Sequence, residues 1–340
     1  LVAYGGAGAG IALSVVGLMN GWLQPAAALF LILVAVEFFL PLRSLGSAFH
    51  VAMNGASAGK KIISLLASEE PVWGESELKC ARLALENVTF SYDDKRDALK
   101  NVTMDFPERG MTAIVGRSGC GKSTVVNMLT GARRPNEGNV LAGGDDIKTL
   151  SRQSYYSHIA SVSYNTYIFN DTVRANFELA KKDVTDGEIW SALDKVNLSD
   201  FIRENGGLEK VITEDANNVS GGQKQRLALA VNLVADKDVY IFDEATSNID
   251  IESEAVIMKN VVEMSREKSV IVISHRLENV VPADNIYYME NGEVKESGTH
   301  ASLMERGGGY AKLYAAQKEL EEGYKSCAGT PLKTAAEVRA

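Results

Sequence analysis

A glycine-rich stretch in the first half of the chain carries the residues best suited to chemistry. It reads Gly116-Arg117-Ser118-Gly119-Cys120-Gly121-Lys122-Ser123-Thr124 and fits the pattern G-x-x-x-x-G-K-[ST]. Glycines in this pattern let backbone N–H groups wrap around phosphate oxygens at the start of a helix. We expect Lys122 to neutralise the β- and γ-phosphates of a nucleotide and the Ser123 hydroxyl to bind Mg²⁺. The stretch therefore predicts a nucleotide phosphate site.

Two carboxylates form a second candidate site. Asp243 and Glu244 directly follow residues 239–242, an apolar run typical of a buried parallel strand. Ligands of open α/β sheets bind at the carboxyl ends of such strands. We expect Asp243 to bind Mg²⁺, directly or through water, and Glu244 to polarise the water that attacks the γ-phosphate. An Asp-Glu pair at a strand end is usually a polar loop, but a phosphate loop in the same chain favours the functional interpretation.

A third candidate site lies between these two, at Ser220-Gly221-Gly222-Gln223. A serine hydroxyl and free N–H groups at the start of a helix form an anion-binding site. The simpler interpretation is a helix cap with a flexible turn, and the four residues alone leave both open.

The flanking residues predict the elements that must position these side chains. A strand-like run at residues 111–115 precedes the glycine-rich stretch, and a helix-like run at residues 124–129 follows it. From residue 84 onward, strand-like runs alternate with helical stretches, which indicates an α/β fold.

Composition separates the chain into two parts at residue 70. The 340 residues include 35 basic and 44 acidic side chains, which gives a formal net charge of −9. Residues 1–70 hold equal numbers of acidic and basic residues, so the whole net charge belongs to residues 71–340. An acidic balance argues against sequence-independent binding of nucleic acid, which needs a basic face.

The first part predicts a membrane hairpin. Residues 1–18 carry no charge and residues 23–42 carry only Glu37, and each segment approaches the roughly 20 apolar residues that span a bilayer. Because the chain starts with neither Met nor a basic stretch, a signal peptide is disfavoured, and we expect a fragment that starts inside a membrane domain. Arg43, Lys60 and Lys61 place the chain after residue 43 in the cytosol.

The predicted domain boundaries follow from these patterns. Residues 1–70 are the last part of a membrane domain, residues 71–83 a linker, residues 84–320 the catalytic domain and residues 321–340 a tail. Three cysteines, Cys80, Cys120 and Cys327, lie far apart without metal-ligand spacing, which indicates a reducing compartment.

Taken in order, the motifs resemble the nucleotide-binding domain of an exporter-type ATP-binding cassette (ABC) transporter. The resemblance covers almost the whole chain. The glycine-rich stretch matches the Walker A loop and Asp243-Glu244 the end of Walker B. The Ser220 segment matches the signature motif, with Val219 where leucine is usual. Tyr92 matches the aromatic residue that stacks on adenine.

Three further segments extend the resemblance. Ser247-Asn248-Ile249-Asp250 is similar to the D-loop, and His275 matches the switch histidine. Glu214 falls at the acidic position through which exporters contact their membrane domain.

The resemblance implies a fold, a reaction and partners. The fold is a P-loop ATPase with a mixed sheet core and a helical subdomain, preceded by a transmembrane helical hairpin. The implied reaction is ATP hydrolysis that drives export of a solute across the cell membrane, with ATP and Mg²⁺ as cofactors and the ATPase domain in the cytoplasm. The implied partners are membrane lipid and a second half-transporter, identical or different, with no nucleic acid. The roles are catalytic for Glu244, His275 and Lys122, metal-binding for Ser123 and Asp243, and nucleotide-binding for Tyr92, the Walker A residues, Ser220 to Gln223 and Asp250.

One position departs from the family pattern. Tyr164 stands where the family usually has a glutamine that offers an oxygen to Mg²⁺. Water or neighbouring Asn165 would then substitute in a working enzyme; the opposing hypothesis is a slow, regulatory half of a heterodimer.

The sequence leaves the exporter branch, the role of Glu37 and two rival classes of ATPase open. Residues 37–46 are similar to the last membrane helix of the cysteine and glutathione (thiol) exporter branch, and Glu37 is either functional or a snorkelling group at the membrane interface. ABC ATPases of DNA repair or translation and importer ATPases are the rival classes.

Overall fold

The structure is a computed structural model that describes residues 2–67, 71–92, 96–164, 167–213 and 216–328. The chain divides into two compact units, Leu1–Glu70 and Pro71–Ala340. The predictions for Asn165, Glu214 and residues 329–340 of the tail lie outside the described residues.

The described residues of the first unit form two helices, α1 at Val2–Met19 and α2 at Pro25–Leu66. Their close packing uses small residues, since a Cβ on Gly10 would lie 3.1 Å from the Cβ of Ala35. Pro25 begins α2, where the missing N–H of proline costs no helical hydrogen bond. Within the described residues, neither helix is long and apolar enough to cross a bilayer. The predicted membrane-spanning character of this hairpin is therefore not confirmed.

The described residues of the second unit form ten strands in two sheets. One is antiparallel and contains β1 (Leu83–Ser91), β2 (Asp97–Phe106), β4 (Glu137–Ala142) and β5 (Asp145–Asp146), in the order β2-β1-β4-β5. The other contains β3 (Gly110–Gly116), β6 (Ile159–Ser163), β7 (Val239–Asp243), β8 (Ser269–Ile273), β9 (Asn285–Glu290) and β10 (Glu293–Gly298). Its order is β10-β9-β3-β8-β7-β6, with parallel neighbours from β9 to β6 and an antiparallel edge strand β10.

Nine helices accompany these strands within the described part of the second unit. They are α3 (Lys122–Leu129), α4 (Arg152–His158), α5 (Val173–Ala180), α6 (Asp186–Lys195), α7 (Ser199–Glu204), α8 (Gly221–Val234), α9 (Ile251–Met264), α10 (His300–Arg306) and α11 (Gly309–Ala328), with short 3₁₀ turns at Gly207–Glu209 and Leu277–Val280. Buried apolar side chains of α5 to α8, including Phe177, Ile189 and Ile202, join one core. The predicted combination of a mixed sheet with helices is confirmed.

The six-stranded sheet has an apolar core on both faces. Alternate residues of β3 point to opposite sides, so that Ala113 and Val115 join one core while Ile114 joins the other. All five residues of β8 are buried, as expected for a parallel strand covered on both faces. The register sets Ile114 and Asp243 opposite Ile273, and the carboxyl ends of three neighbouring strands therefore meet at one edge.

The first residues of the second unit run along its surface in an ordered path. Gly74 N–H donates to Leu150 O over 2.9 Å, and Ser76 N–H donates to Thr149 O over 3.0 Å. Ser151 N–H in turn donates to Ser76 O over 2.7 Å. The predicted linker is thus attached by backbone hydrogen bonds from residue 74 onward.

Trp73 fixes the start of this path by its side chain. Its ring packs against Tyr155 and Tyr156, with centroids 5.3 and 5.6 Å apart. The guanidinium carbon of Arg134 lies 4.4 Å from the indole centroid, in a cation–π arrangement. A Cβ on Gly131 would come within 2.8 Å of the indole, so glycine is the residue that fits under it.

Candidate nucleotide site

The phosphate loop connects β3 to α3 and depends on glycine at two close approaches. Gly116 has φ of 153°, and a Cβ there would lie 2.3 Å from Met289 O. Gly121 has φ of 109°, and a Cβ there would lie 2.8 Å from Ala98 O. Both distances are too short for a carbon and an oxygen atom without a steric clash. The sequence pattern is therefore realised as the strand, loop and helix that it requires.

Lys122 begins α3 and folds back over the loop. Its Nζ donates to Gly116 O over 2.9 Å and to Arg117 O over 3.2 Å, and the residue is only 6% exposed. An ammonium held by loop carbonyls lies within the same loop that would wrap the phosphates. Ser123 is exposed and Thr124 is buried, so the hydroxyl predicted to bind the metal ion is the accessible one.

Cys120 contributes to the loop through its backbone and packs its thiol inward. Its carbonyl accepts a hydrogen bond from Gly292 N–H over 3.1 Å, and its N–H donates to Arg117 O over 3.3 Å. Burial raises the pKa of the Cys120 thiol. Gly119 has no neighbour within 4 Å of a Cβ position, which leaves this part of the loop open.

Tyr92 stands beside the end of the phosphate loop. Its hydroxyl lies 3.3 Å from Thr124 Oγ1 and accepts a hydrogen bond from Asn127 Nδ2 over 3.1 Å. The ring contacts Phe90 edge-on at 4.9 Å between centroids and is 55% exposed. An exposed aromatic face next to the loop suits a stacked base, and that role stays a prediction.

Asp243 ends β7 with one side-chain oxygen free of partners. Oδ1 is buried and accepts no hydrogen bond. Burial, followed by the charge of Glu244, raises the pKa of Asp243. A buried, unpartnered carboxylate oxygen is unfavourable unless a cation binds it, and Mg²⁺ prefers such hard oxygen ligands. The chemistry of this position therefore fits the predicted metal ion.

Glu244 and His275 come together at the ends of two neighbouring strands. Glu244 Oε1 lies 2.5 Å from His275 Nε2, and Glu244 N–H donates to Ile273 O over 2.9 Å. The Glu244 side chain is a quarter exposed, so water reaches it. Glu244 also adopts φ of +54°, a left-handed conformation that is unfavourable for a residue with a Cβ. The structure thus unites two of the three predicted catalytic residues.

Ser220 caps α8 in a reciprocal arrangement with Gln223. Ser220 Oγ accepts from Gln223 N–H over 3.2 Å, and Gln223 Oε1 accepts from Ser220 N–H over 2.9 Å. The cap interpretation is confirmed, and anion binding stays a prediction. A Cβ on Gly222 would lie 2.9 Å from Asn248 O, so the signature segment packs tightly on the predicted D-loop. Within the described residues, no hydrogen bond joins residues 220–223 to the phosphate loop.

Gln225 is a functional candidate that the sequence did not reveal. It is 4% exposed in α8, its Nε2 donates to Glu244 O over 3.3 Å, and its Oε1 accepts from Asn248 N–H over 3.1 Å. One buried amide therefore holds the backbone of Glu244 and of the predicted D-loop. No sequence signal distinguishes it, because α8 also carries the polar residues Gln223, Lys224 and Arg226.

Asp250 and Tyr164 occupy positions at the margin of the site. Asp250 caps α9 by accepting from Ser253 N–H over 2.9 Å, a hydrogen bond that lowers the pKa of Asp250. Tyr164 directly follows β6, whose last residue Ser163 lies opposite Asp243 in the register. The phenol is 56% exposed. Strand order alone therefore brings Tyr164 to the edge that carries the acidic pair.

A phosphate loop after a buried parallel strand, with an acidic pair two strands away at the same edge, defines a P-loop nucleotide-binding domain. Residues 99–247 match the family model described as ABC transporter. Residues 99–247 of the second unit are therefore an ATP-binding domain of the ABC type.

Relatives of known sequence share this domain and residues before it. The chain is 40% identical over 328 residues to an uncharacterized ABC transporter ATP-binding protein of Haemophilus influenzae, covering 95% of this chain and 58% of that protein. It is 40% identical over 288 residues to the ATP-dependent lipid A-core flippase of Photorhabdus laumondii, covering 83% and 50%. It is 34% identical over 316 residues to the mitochondrial iron-sulfur clusters transporter ATM1 of Kluyveromyces lactis, covering 90% and 44%.

A solved structure is also similar to this chain. A bacterial Atm1-family ABC exporter with ATP bound superimposes with a TM-score of 0.72 at 28% sequence identity, covering 87% of this chain and 53% of that chain. The chain thus spans about half the length of the curated relatives it matches. These relatives include exporters, and none of them confirms the thiol exporter branch.

Proposed function

We propose that this chain hydrolyses ATP to drive export of a solute, as one half of a dimeric ABC exporter. The contact of Glu244 with His275, at the same sheet edge as Asp243 and the phosphate loop, is the observation that carries the proposal. The similarity to exporters supports the direction of transport.

The residues divide the chemical task. Lys122 and the loop N–H groups would hold the phosphates, and Ser123 and Asp243 would hold Mg²⁺. Bound Mg²⁺ neutralises charge that develops on the transferred phosphoryl group. Glu244 would orient the attacking water and accept its proton, while His275 donates a hydrogen bond toward the γ-phosphate. An intact pair of this kind favours a working site over a slow regulatory one.

A second half-transporter would complete the site. Ser220 and the amide groups at the start of α8 present hydrogen-bond donors and an exposed face, and we assign them to the nucleotide of the partner. ATP would then join two acidic domains that repel each other, and its hydrolysis would release them. Either an identical or a different chain satisfies this arrangement.

The helices α1 and α2 would belong to the membrane domain of the exporter. Support comes from the charge-free residues 1–18 and from exposed apolar side chains such as Leu33 and Phe38. Extraction of membranes with alkaline carbonate tests this assignment. We expect the whole chain to stay in the pellet and residues 71–340 to be released; release of both would contradict it. Residues 37–46 make a thiol compound the first solute to test in transport assays.

Measurement of ATP turnover by the whole chain tests the enzymatic part. We expect Glu244→Gln to abolish turnover by at least about 100-fold while ATP still binds, because the amide cannot accept the proton of water. Glu305→Gln, an exposed substitution on α10, is the matched control and should leave turnover unchanged. Equal, negligible rates of ATP hydrolysis for the unaltered chain and Glu244→Gln would refute the proposed ATPase activity.

A further inference from the structure

A buried carboxylate on α9 bonds to residues close in sequence to Glu244 and His275. Glu254 is in the first turn of α9 and is only 4% exposed. Glutamate is almost never fully buried unless it is paired, because removing its charge from water is costly. Its partners therefore indicate its purpose.

Three donors surround the Glu254 carboxylate. Oε1 accepts from Thr246 Oγ1 over 2.7 Å and from Asn279 Nδ2 over 2.8 Å. Oε2 pairs with the guanidinium of Arg276. Both oxygens are thus satisfied, and one donor carries a full positive charge.

These donors belong to the two loops that carry the catalytic pair. Thr246 follows Glu244 by two residues, and Arg276 directly follows His275. Asn279 lies in the 3₁₀ turn that continues the second loop. One carboxylate therefore bonds at once to the loop of Glu244 and to the loop of His275, which are joined elsewhere by the 2.5 Å contact between those two side chains.

Glu254 is not needed to form its own helix. Asp250 already caps α9, and Ile257 and Val261 bury the helix in the core. The backbone bond from Glu244 N–H to Ile273 O aligns the strand ends, but it does not fix loop residues beyond them. The Glu254 carboxylate supplies that missing connection.

We propose that Glu254 is a positioning residue for ATP hydrolysis, which holds the loops of Glu244 and His275 at the spacing that the reaction needs. The inference rests on the proposed function and extends it by one residue. A misplacement of about 1 Å at a reacting group costs about 100-fold in rate, so loosening these loops should be visible in turnover.

The first test compares variants of the whole chain. Glu254→Gln keeps the shape of the side chain but replaces one accepting oxygen by an NH₂ group, which cannot accept a hydrogen bond from any of the three donors. Glu254→Ala removes all three bonds. We expect each to lower kcat by about 10-fold to 100-fold, with the KM for ATP changed by less than about twofold, because the phosphate loop is untouched. Glu252→Gln, exposed on the same helix, should leave both constants unchanged. A lower melting temperature with unchanged kcat per folded molecule would overturn the proposal.

A double substitution separates positioning from general damage. In a His275→Ala background, Glu254→Gln should cost less than about twofold further, since the pair it holds is already absent. If the loss in kcat of the double variant equals the product of the two single-variant losses, Glu254 acts independently of His275, and the proposal is overturned.

Histidine resonances give a reading that needs no turnover. The chain has four histidines, and ¹⁵N labelling with His275→Ala assigns the signal of His275. We expect Glu254→Gln to shift that signal and to leave the other three in place. An unmoved His275 signal would refute the positioning role. If instead the unaltered chain hydrolyses no ATP, the proposed function fails while the resonance comparison still decides the contact.

Discussion

Glu244 Oε1 lies 2.5 Å from His275 Nε2, although 30 residues separate them in sequence. The contact arises because β7 and β8 are parallel neighbours whose register sets Asp243 opposite Ile273. Glu244 is the first residue after β7, and His275 is the second residue after β8. The register of the sheet therefore brings the two loops that carry these side chains next to each other.

The left-handed backbone at Glu244 predicts an unusual order of stabilities. With φ of +54°, Glu244→Gly should be more stable than Glu244→Ala by about 1 kcal/mol, because glycine adopts this region without a Cβ clash. Chemical denaturation measures the difference. At Lys259, an exposed residue in the middle of α9, substitution by glycine and by alanine should show the opposite order, since glycine disfavours a helix interior by about 1 kcal/mol. Equal stabilities of Glu244→Gly and Glu244→Ala would show that the backbone at position 244 is not strained.

Substitution of Tyr92 should separate its ring from its hydroxyl. Tyr92→Ala should weaken ATP binding by about 1–3 kcal/mol, the usual value of stacking on a base. Tyr92→Phe keeps the ring but loses the bonds to Thr124 and Asn127, so its affinity should stay within about threefold of the unaltered chain. Titration with a fluorescent ATP analogue measures both. Similar losses for the two variants would assign the effect to the hydroxyl.

Tyr164→Gln tests whether the departure from the family pattern impairs the site. The phenol is exposed beside the strand that pairs with β7, and we expect turnover to change by less than about tenfold, or 1.4 kcal/mol in barrier. Tyr167→Gln, at an equally exposed tyrosine, is the control. A larger gain for Tyr164→Gln alone would mean that the natural site is slow.

Glu188 predicts a pH-dependent part of the stability. The hydrogen bond from Lys181, with those from Thr185, lowers the pKa of Glu188 to about 2. The ionised form is favoured in the folded state, so its contribution is complete above about pH 4.5 and is lost as pH falls toward 2. Glu188→Gln should therefore lower the melting temperature at pH 7, by an amount that shrinks below pH 4.5. Glu178→Gln, exposed on α5, should show no such trend.

Sequence reasoning located the parts of the site that are local in the chain. The phosphate loop needs only the strand before it and the helix after it, and both are continuous with Gly116 and Lys122. The acidic pair follows an apolar run of the length and composition of a buried strand. Such signals survive in a single sequence because one segment carries the whole pattern.

The parts that sequence reasoning missed depend on distant contacts. Gln225 bonds to Glu244, 19 residues away, and Glu254 bonds to Arg276, 22 residues away. No periodicity marks a buried polar residue whose partners lie on other elements. The membrane-spanning character inferred from residues 1–42 is likewise not confirmed, and the ordered path of residues 73–76 was not expected of a linker.

Trp73 is connected through two tyrosines to the helix that follows the phosphate loop. The tyrosines that hold the indole donate their hydroxyls to the last turn of α3, Tyr155 to Leu129 O over 2.5 Å and Tyr156 to Thr130 O over 2.9 Å. The helix has eight residues, a rod of about 12 Å. The indole of Trp73 therefore contacts the two tyrosines bonded to one end of this rod, and the phosphate loop joins the other end.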